Sequence, residues 1–301
     1  MRSFLRDFDL VAPRTLDEAL RTLAREPDVW RPFAGGTDLM VLLEAGKLPA
    51  ARYMSLWHLP ELRGIHLEDH AIAIGAMTTY SDVMASPVLR VECPLLGAAA
   101  AETGGVATQN RGTIGGNIAN ASPAADTPPA LLVYDAELEL VSVRGVRRLP
   151  YDRFHLGYKR LDLAPDELIR SIRVARGRGG WIHGWRKVGT RRAQAISKVC
   201  FAAALDLSAA ARRAKADLAG DTVRDVRIAL GSVAPTVIRA AGAEASIRGR
   251  TLDAESIASC CGTLTREIAP IDDLRSSADY RSRIAANLLE QFLTGTRPAT
   301  S

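Results

Sequence analysis

Apolar positions along the first sixty residues change period in a fixed order, and that order predicts strand, helix, strand, helix, strand. Thr15 opens a helix as a capping box with Glu18, and Leu16, Leu20 and Leu23 form its apolar stripe. Trp30 to Ala34 reads as a short strand that ends in Gly35-Gly36. Thr37 or Asp38 caps the next helix, which carries Leu39, Met40, Leu42 and Leu43. Tyr53 to Leu56 closes this small α/β unit. A second unit begins near Pro60 with the alternating strand His70 to Gly75; Thr79 then starts a helix and an Ala-rich helix covers Pro94 to Glu102. A Gly- and Asn-rich stretch from Gly104 to Asn120 leads into the turn Ser122-Pro-Ala-Ala-Asp126, an apolar helix, and strands at Glu137–Val143 and Glu167–Val174. Gly177 to Gly180 is the best linker candidate. Beyond it, Val223 to Leu230 alternates like a strand, and Tyr280, Ile284, Leu288 and Phe292 share one face of a closing helix. The chain shows no internal repeat and no low-complexity tail.

Composition narrows the class. A chain of 301 residues has room for two domains with separate cores. Its 47% hydrophobic and 24% charged residues are those of an ordinary soluble globular protein. No apolar run is long enough for a membrane span, and the N-terminal segment lacks the apolar core of a signal peptide, so a cytoplasmic protein is expected. Cys93, Cys200, Cys260 and Cys261 show no CxxC spacing and read as buried thiols, which excludes an iron–sulfur cluster held by this chain. The net charge of +5 is concentrated: residues 144–198 hold fifteen Lys/Arg against four Asp/Glu. No recognition motif or aromatic platform accompanies them, so solvated faces plus an anionic cofactor or partner explain them better than nucleic acid.

Two glycine-rich turns carry the chemistry. Ala34-Gly-Gly-Thr-Asp38 follows a strand, and Thr113-Ile-Gly-Gly-Asn117 precedes the Ser122–Asp126 turn. Paired glycines let a backbone approach a ligand and present successive N–H groups to an anion. Thr hydroxyls and the Asn117 amide complete the bonds to phosphate oxygens, and Asp126 suits a ribose or adenine donor. Either turn alone reads as a tight turn; together they suggest a pyrophosphate clamp. GxGxxG, GxxxxGK[ST] and HExxH are absent, and the five histidines show no metal-ligand spacing.

The run Thr113 to Pro129 resembles the signature of the FAD-binding subunits of molybdenum hydroxylases, the family of the carbon monoxide dehydrogenase medium subunit and the xanthine dehydrogenase flavin domain. Ala34–Asp38 resembles its first flavin loop, Arg186–Lys198 the start of its C-terminal domain, and Asp273–Arg281 its last characteristic segment. The likeness runs from Phe8 to Leu293. It implies an α+β fold, with a two-subdomain FAD-binding domain of the PCMH/vanillyl-alcohol-oxidase type over 1–177 (subdomains about 1–58 and 59–177). A small C-terminal α+β domain with an antiparallel sheet would cover 181–295. It also implies a set of non-covalent FAD contacts. Phe33, Ala34, Gly35, Gly36, Thr37, Asp38 and Leu39 would line the first loop, and Thr113, Ile114, Gly115, Gly116 and Asn117 the second. Ser122 and Asp126 would bind near the ribityl or ribose region, Ile169 would pack on the flavin, and Lys187 would approach the isoalloxazine. Trp185 falls where some members place an aromatic residue over the ring, and reads equally as a core Trp. Ala107-Thr-Gln-Asn110 replaces the Gln-Ile-Arg-Asn found in many members, which leaves recognition more dependent on backbone amides.

The implied function is electron transfer. A molybdenum subunit oxidises substrate, 2Fe-2S clusters on a partner relay electrons, and this subunit's flavin passes them to an external acceptor, in a heterotrimer or a dimer of heterotrimers. Molybdopterin and the clusters would reside on partners, and no catalytic residue or metal ligand is assigned to this chain. Two other classes stay open: a self-sufficient FAD-dependent oxidoreductase and, on the basic stretch alone, a nucleic-acid or structural protein.

Overall fold

The computed structural model describes residues 8–48, 52–191, 194–207 and 221–295. The N-terminal residues on which the signal-peptide reading rests, and Arg192 of the basic run, lie outside the described residues. Parallel strands need crossover connections, and the first unit supplies two. β1 (Asp9–Val11), β2 (Arg31–Phe33) and β3 (Arg52–Ser55) pair in parallel in the order β1-β3-β2. α1 (Leu16–Arg25) crosses from β1 to β2, and α2 (Leu39–Glu44) leads from β2 towards β3. Thr15 caps α1 by accepting from the Glu18 amide, but the capping box is only half formed, because the Glu18 carboxylate takes the amide of Arg14 instead. α1 buries Ala19, Leu20 and Leu23, whereas α2 buries none of its residues and leaves Met40 and Val41 exposed. The expected apolar stripe of α2 therefore does not enter a core, and Asp38 makes no capping bond.

The second unit is a five-stranded antiparallel sheet, β4 (Ile65–Leu67), β5 (Ala71–Gly75), β6 (Glu137–Ser142), β7 (Gly145–Pro150) and a strand at Leu168–Ala175, with helices packed on it. Between β5 and β6 run α3 (Tyr80–Ala85), α4 (Pro87–Glu92), α5 (Pro94–Ala101), α6 (Val106–Arg111), α7 (Ile114–Asn120) and α8 (Thr127–Val133). The Gly- and Asn-rich stretch from Gly104 to Asn120, to which the pattern assigns no helix, is thus mostly helical. Thr79 forms a complete capping box with Asp82 at α3, and Thr113 caps α7 by accepting from Gly116, which puts Gly115 and Gly116 in the first turn of a helix. A hairpin of β8 (His155–Gly157) and β9 (Arg160–Leu161) follows, and β10 (Leu168–Ala175) inserts between β5 and β6.

The last unit is a four-stranded antiparallel sheet in the order β11 (Ile182–Val188), β12 (Val199–Leu207), β13 (Val223–Gly231), β14 (Ile238–Arg239), covered by α9 (Ala241–Ile247), α10 (Ala254–Glu267) and α11 (Ala278–Thr294). All nine residues of β12 are buried because its two faces serve different cores. Ala202 and Ala204 pack into the core of the preceding unit, while Phe201, Ala203 and Leu205 face the C-terminal helices. A strand buried on both sides has no hydrophobic alternation to read. The buried face of α11 is Arg281, Ala285, Leu288, Leu289 and Leu293, so the predicted stripe through Tyr280, Ile284 and Phe292 lies along its flank.

Arg281 is charged and only 4% exposed. It donates to the carbonyls of Ser232 (2.8 Å) and Lys198 (3.3 Å) and to Asp273 Oδ1 (2.7 Å), knitting three loops together. Burial pushes the Asp273 carboxyl up, but the amides of Arg275 and Ser276 and the Arg281 guanidinium outweigh it and bring its pKa to about 2. The companion Asp272 accepts from the Ala278 amide at the start of α11, where Ser277 is the cap. A depressed carboxylate contributes stability above its unfolded pKa and loses it as pH falls through the folded value. Asp273→Asn should therefore cost about 1–3 kcal/mol at pH 7 in urea unfolding. Its difference from the parent should vanish as the pH is lowered towards 2, and a difference that is flat with pH would contradict the assignment.

Candidate functional site

The three units meet around a cavity of about 680 Å³, a volume in the usual range for a cofactor site. Of the residues singled out from sequence, Ala34, Gly35, Gly36, Thr37, Asp38, Leu39, Thr113, Gly115, Gly116, Asn117, Ser122, Asp126 and Ile169 line it. Phe33, Ile114, Lys187 and Trp185 do not. Phe33 lies beneath the first motif with its ring against Gly36, and Ile114 is fully buried in the core of the second unit.

The two glycine motifs are chemically different. In the second, the four amides from Ile114 to Asn117 are already committed. Ile114 and Gly115 donate to the carbonyls of Thr78 (3.0 Å) and Ala76 (2.8 Å), Gly116 to Thr113 Oγ1 (3.1 Å) and Asn117 to the Thr113 carbonyl (3.0 Å). The expectation that this motif offers successive N–H groups to an anion is thereby corrected. Its contribution is shape: a Cβ on Gly115 would lie 2.6 Å from Ala76 Cβ, and one on Gly116 only 3.3 Å from Ala34 Cβ of the other motif. In the first motif, by contrast, the amides of Gly35, Gly36, Thr37, Asp38 and Leu39 meet no acceptor among the described residues. Gly36 has φ +80, and a Cβ on Gly35 would fall 1.7 Å from the Arg111 carbonyl oxygen, so neither position tolerates a side chain. Asn117 Oδ1 accepts from Thr127 Oγ1 at 2.8 Å, which fixes the amide with its nitrogen as the donor for a ligand.

Asp126 and Lys187 are bound to each other. Lys187 Nζ donates to Asp126 Oδ2 (2.7 Å) and to the Glu102 carbonyl (2.9 Å), and Ser197 donates to Asp126 Oδ1 (2.6 Å). The two side chains are 4% and 10% exposed. Burial raises the Asp126 pKa, opposed by the Lys187 charge and by hydrogen bonds from Lys187 and Ser197. Both Asp126 oxygens thus accept from the C-terminal unit, while the residue still lines the cavity, where the sequence reading expects a ribose or adenine donor. Lys187, assigned to the isoalloxazine, is a peg joining two units. Trp185 packs on the core of the second unit, and its indole N–H has no acceptor among the described residues. The core reading of Trp185 is the one its position favours.

Sequence reasoning missed several cavity residues. Arg31 supplies a positive charge, Leu161, Leu163 and Ile196 supply apolar wall, and Tyr80, whose hydroxyl burial holds neutral, sits in the floor. Gln194 reaches the cavity from the C-terminal unit at φ +51, its amide close over Gly105. None belongs to a motif; only the crossing of the units brings them together.

The basic run is not a bare patch. Arg144 pairs with Asp166, Arg147 with Glu167 and Asp162, Arg148 and Arg170 with Glu139, Arg173 with Glu68, Arg176 with Glu92 and Arg178 with Asp135. Arg153, Arg160 and Arg186 are exposed and have no carboxylate partner among the described residues. No group of three or more potential metal ligands is present among the described residues, and no helix among them is long and apolar enough to cross a membrane.

Residues 6–176 match the family described as the FAD binding domain in molybdopterin dehydrogenase, and residues 186–296 match the CO dehydrogenase flavoprotein C-terminal domain. The chain belongs to the FAD-binding molybdopterin dehydrogenase family. It is 30% identical to the carbon monoxide dehydrogenase medium chain of Hydrogenophaga pseudoflava, over 95% of this chain and 96% of that one. It is also 30% identical to the putative xanthine dehydrogenase FAD-binding subunit of Escherichia coli (strain K12), over 93% and 92%. Among solved structures, carbon monoxide dehydrogenase from Hydrogenophaga pseudoflava superposes with a TM-score of 0.87 at 29% identity, covering 96% of each chain. Quinoline 2-oxidoreductase from Pseudomonas putida 86 gives 0.85 at 25% identity, again over 96% of each. The α+β fold inferred from the sequence is thereby established, and the molybdopterin dehydrogenase flavoprotein is the FAD-binding part of an oxidoreductase.

The flavoprotein's Asp126–Lys187 pair yields a direct test. Lys187→Met leaves a buried carboxylate unpaired and should cost about 3–5 kcal/mol in chemical denaturation, whereas Lys187→Met with Asp126→Leu should recover most of the loss. Equal stability of the single variant and the parent would show that the pair does not hold the units together.

Proposed function

We propose that the cavity is the FAD site and that this chain is the flavin relay of a molybdenum hydroxylase complex. The carrying observation is that Gly35 to Leu39, whose amides meet no acceptor among the described residues, line the cavity together with Gly116. Backbone N–H groups held in such a turn suit pyrophosphate oxygens, and Arg31 on the same wall adds positive charge. Thr37 and Thr113 provide hydroxyls, while Leu161, Leu163, Ile169 and Ile196 offer an apolar face for the ring system. The FAD-binding region would comprise residues 1–177, and the domain at 181–295 closes the cavity through Gln194 to Ile196. FAD, when bound, supplies the redox chemistry; the protein binds it, orients it and shields it from water.

The relatives' names support a relay rather than a substrate site. Chains about equally similar to this one along its length are called carbon monoxide, xanthine and glyceraldehyde dehydrogenase components. Near-equal likeness to chains named for three different substrates supports leaving substrate choice to a partner. We therefore assign iron–sulfur and molybdenum-cofactor subunits as partners in a cytoplasmic heterotrimer or dimer of heterotrimers. Part of the docking falls on the β8–β9 hairpin, where exposed Leu156 and Tyr158 stand beside Arg153 and Arg160.

Purified protein should carry a single non-covalent FAD per chain, released by acid and identified by chromatography. Gly116→Val should abolish its retention while the chain still folds, since the added side chain wedges between the two motifs. Recovery of FMN, or undiminished FAD in the valine variant, would count against the site. The isolated chain should oxidise no organic substrate, and reconstitution with the partner subunits should restore activity. Complex formation should weaken as salt rises and slow with Arg153→Glu or Arg160→Glu. Substrate-dependent flavin reduction by the lone chain at a catalytic rate would defeat the relay reading.

A further inference from the structure

The two glycine motifs sit in different units, so their separation depends on what holds those units in register. Trp57, just beyond β3 of the first unit, has two guanidiniums over its ring. Arg63 lies 4.4 Å and Arg111 3.6 Å from its ring centroid. Both arginines belong to the second unit. Arg63 also donates from Nε (3.3 Å) and Nη2 (2.7 Å) to the Trp57 carbonyl and from Nη1 to the carbonyl of Met77 (3.3 Å), a residue of the cavity wall. Arg111 ends α6 directly before the second motif, and its carbonyl is the group that rests against Gly35 of the first. One side chain is therefore gripped by the two residues that border both halves of the cavity, yet none of the three lines the cavity.

We propose that the Arg63–Trp57–Arg111 stack is the spacer that holds the two glycine motifs at the separation FAD requires, which makes Trp57 and Arg111 positioning residues for the cofactor. This rests on the reading of the cavity as the FAD site. The stack uses the planar guanidinium, so lysine, which keeps the charge but cannot stack in the same way, does not replace Arg111. That distinguishes a spacer from a cation that attracts the pyrophosphate through its charge alone.

The test is a fluorescence titration of flavin-stripped full-length chain with FAD, with the melting temperature of the stripped protein measured alongside. Trp57→Ala and Arg111→Lys should each weaken FAD binding by about tenfold. Trp57→Phe, which keeps a ring for the guanidiniums to stack on, should stay within about threefold of the parent. Trp57→Ala combined with Arg111→Lys should be little worse than either alone, because both remove the same contact. Variants that melt lower yet bind FAD like the parent would reduce the stack to ordinary packing and overturn the proposal. Parental affinity in Arg111→Lys with loss only in Arg111→Ala would overturn it in favour of simple charge attraction. Failure of the parent chain itself to bind FAD would instead overturn the reading of the cavity, and the spacer with it.

Discussion

The buried pair between Lys187 and Asp126 is the constraint on which the arrangement of this flavoprotein depends. An ammonium and a carboxylate removed from water are costly unless they meet with good geometry and their remaining hydrogen-bonding capacity is used. Here Lys187 also reaches the Glu102 carbonyl, and Asp126 also accepts from Ser197. The pair closes only when β11 lies against the ends of α5 and α8. In that position the alanines of β12 meet the core of the second unit, and the segment from Gln194 to Ile196 becomes a wall of the cavity. The C-terminal unit is thus a structural part of the cavity.

The cavity itself divides its labour between two sequence motifs that look alike. The amides of the motif at Gly35-Gly36 meet no acceptor among the described residues, and the motif lines the cavity. The motif at Gly115-Gly116 has spent its amides on the chain from Ala76 to Thr78 and on Thr113, and its glycines serve only to let backbones approach. Glycine pairing alone does not distinguish an anion-binding turn from a packing device. The acceptors within reach do.

That division also marks how far the sequence was legible. The crossover order of the first unit, the caps at Thr15 and Thr79, the strands at Glu137 and Val223 and the positions of both motifs follow from local pattern, and the structure has them. The helices α6 and α7 are not legible in local pattern because Gly104, Gly105, Gly112 and Gly115 outweigh local propensity, and tertiary acceptors and the Thr113 cap support that stretch as helix. β12 escaped because burial on both faces erases alternation. The partners of Asp126 and Lys187 escaped because sixty residues separate them and nothing local announces a buried pair. Cavity residues such as Arg31 and Gln194 belong to no motif at all.

The ion pairs of the basic run have a further consequence for how the chain comes together. The first 143 residues hold eighteen acidic and eleven basic side chains, while the next 55 are strongly basic. Glu68, Glu92, Asp135 and Glu139 from the first stretch are the groups that Arg173, Arg176, Arg178 and Arg148 from the second close upon. The chain is a polyampholyte with its signs in blocks, and the blocks attract one another before any side chain is packed, within the Debye length of about 10 Å at 0.1 M salt. What looks in sequence like a surface for a foreign polyanion is the complement of the protein's own opening segment, so β10 is drawn electrostatically to the sheet that receives it.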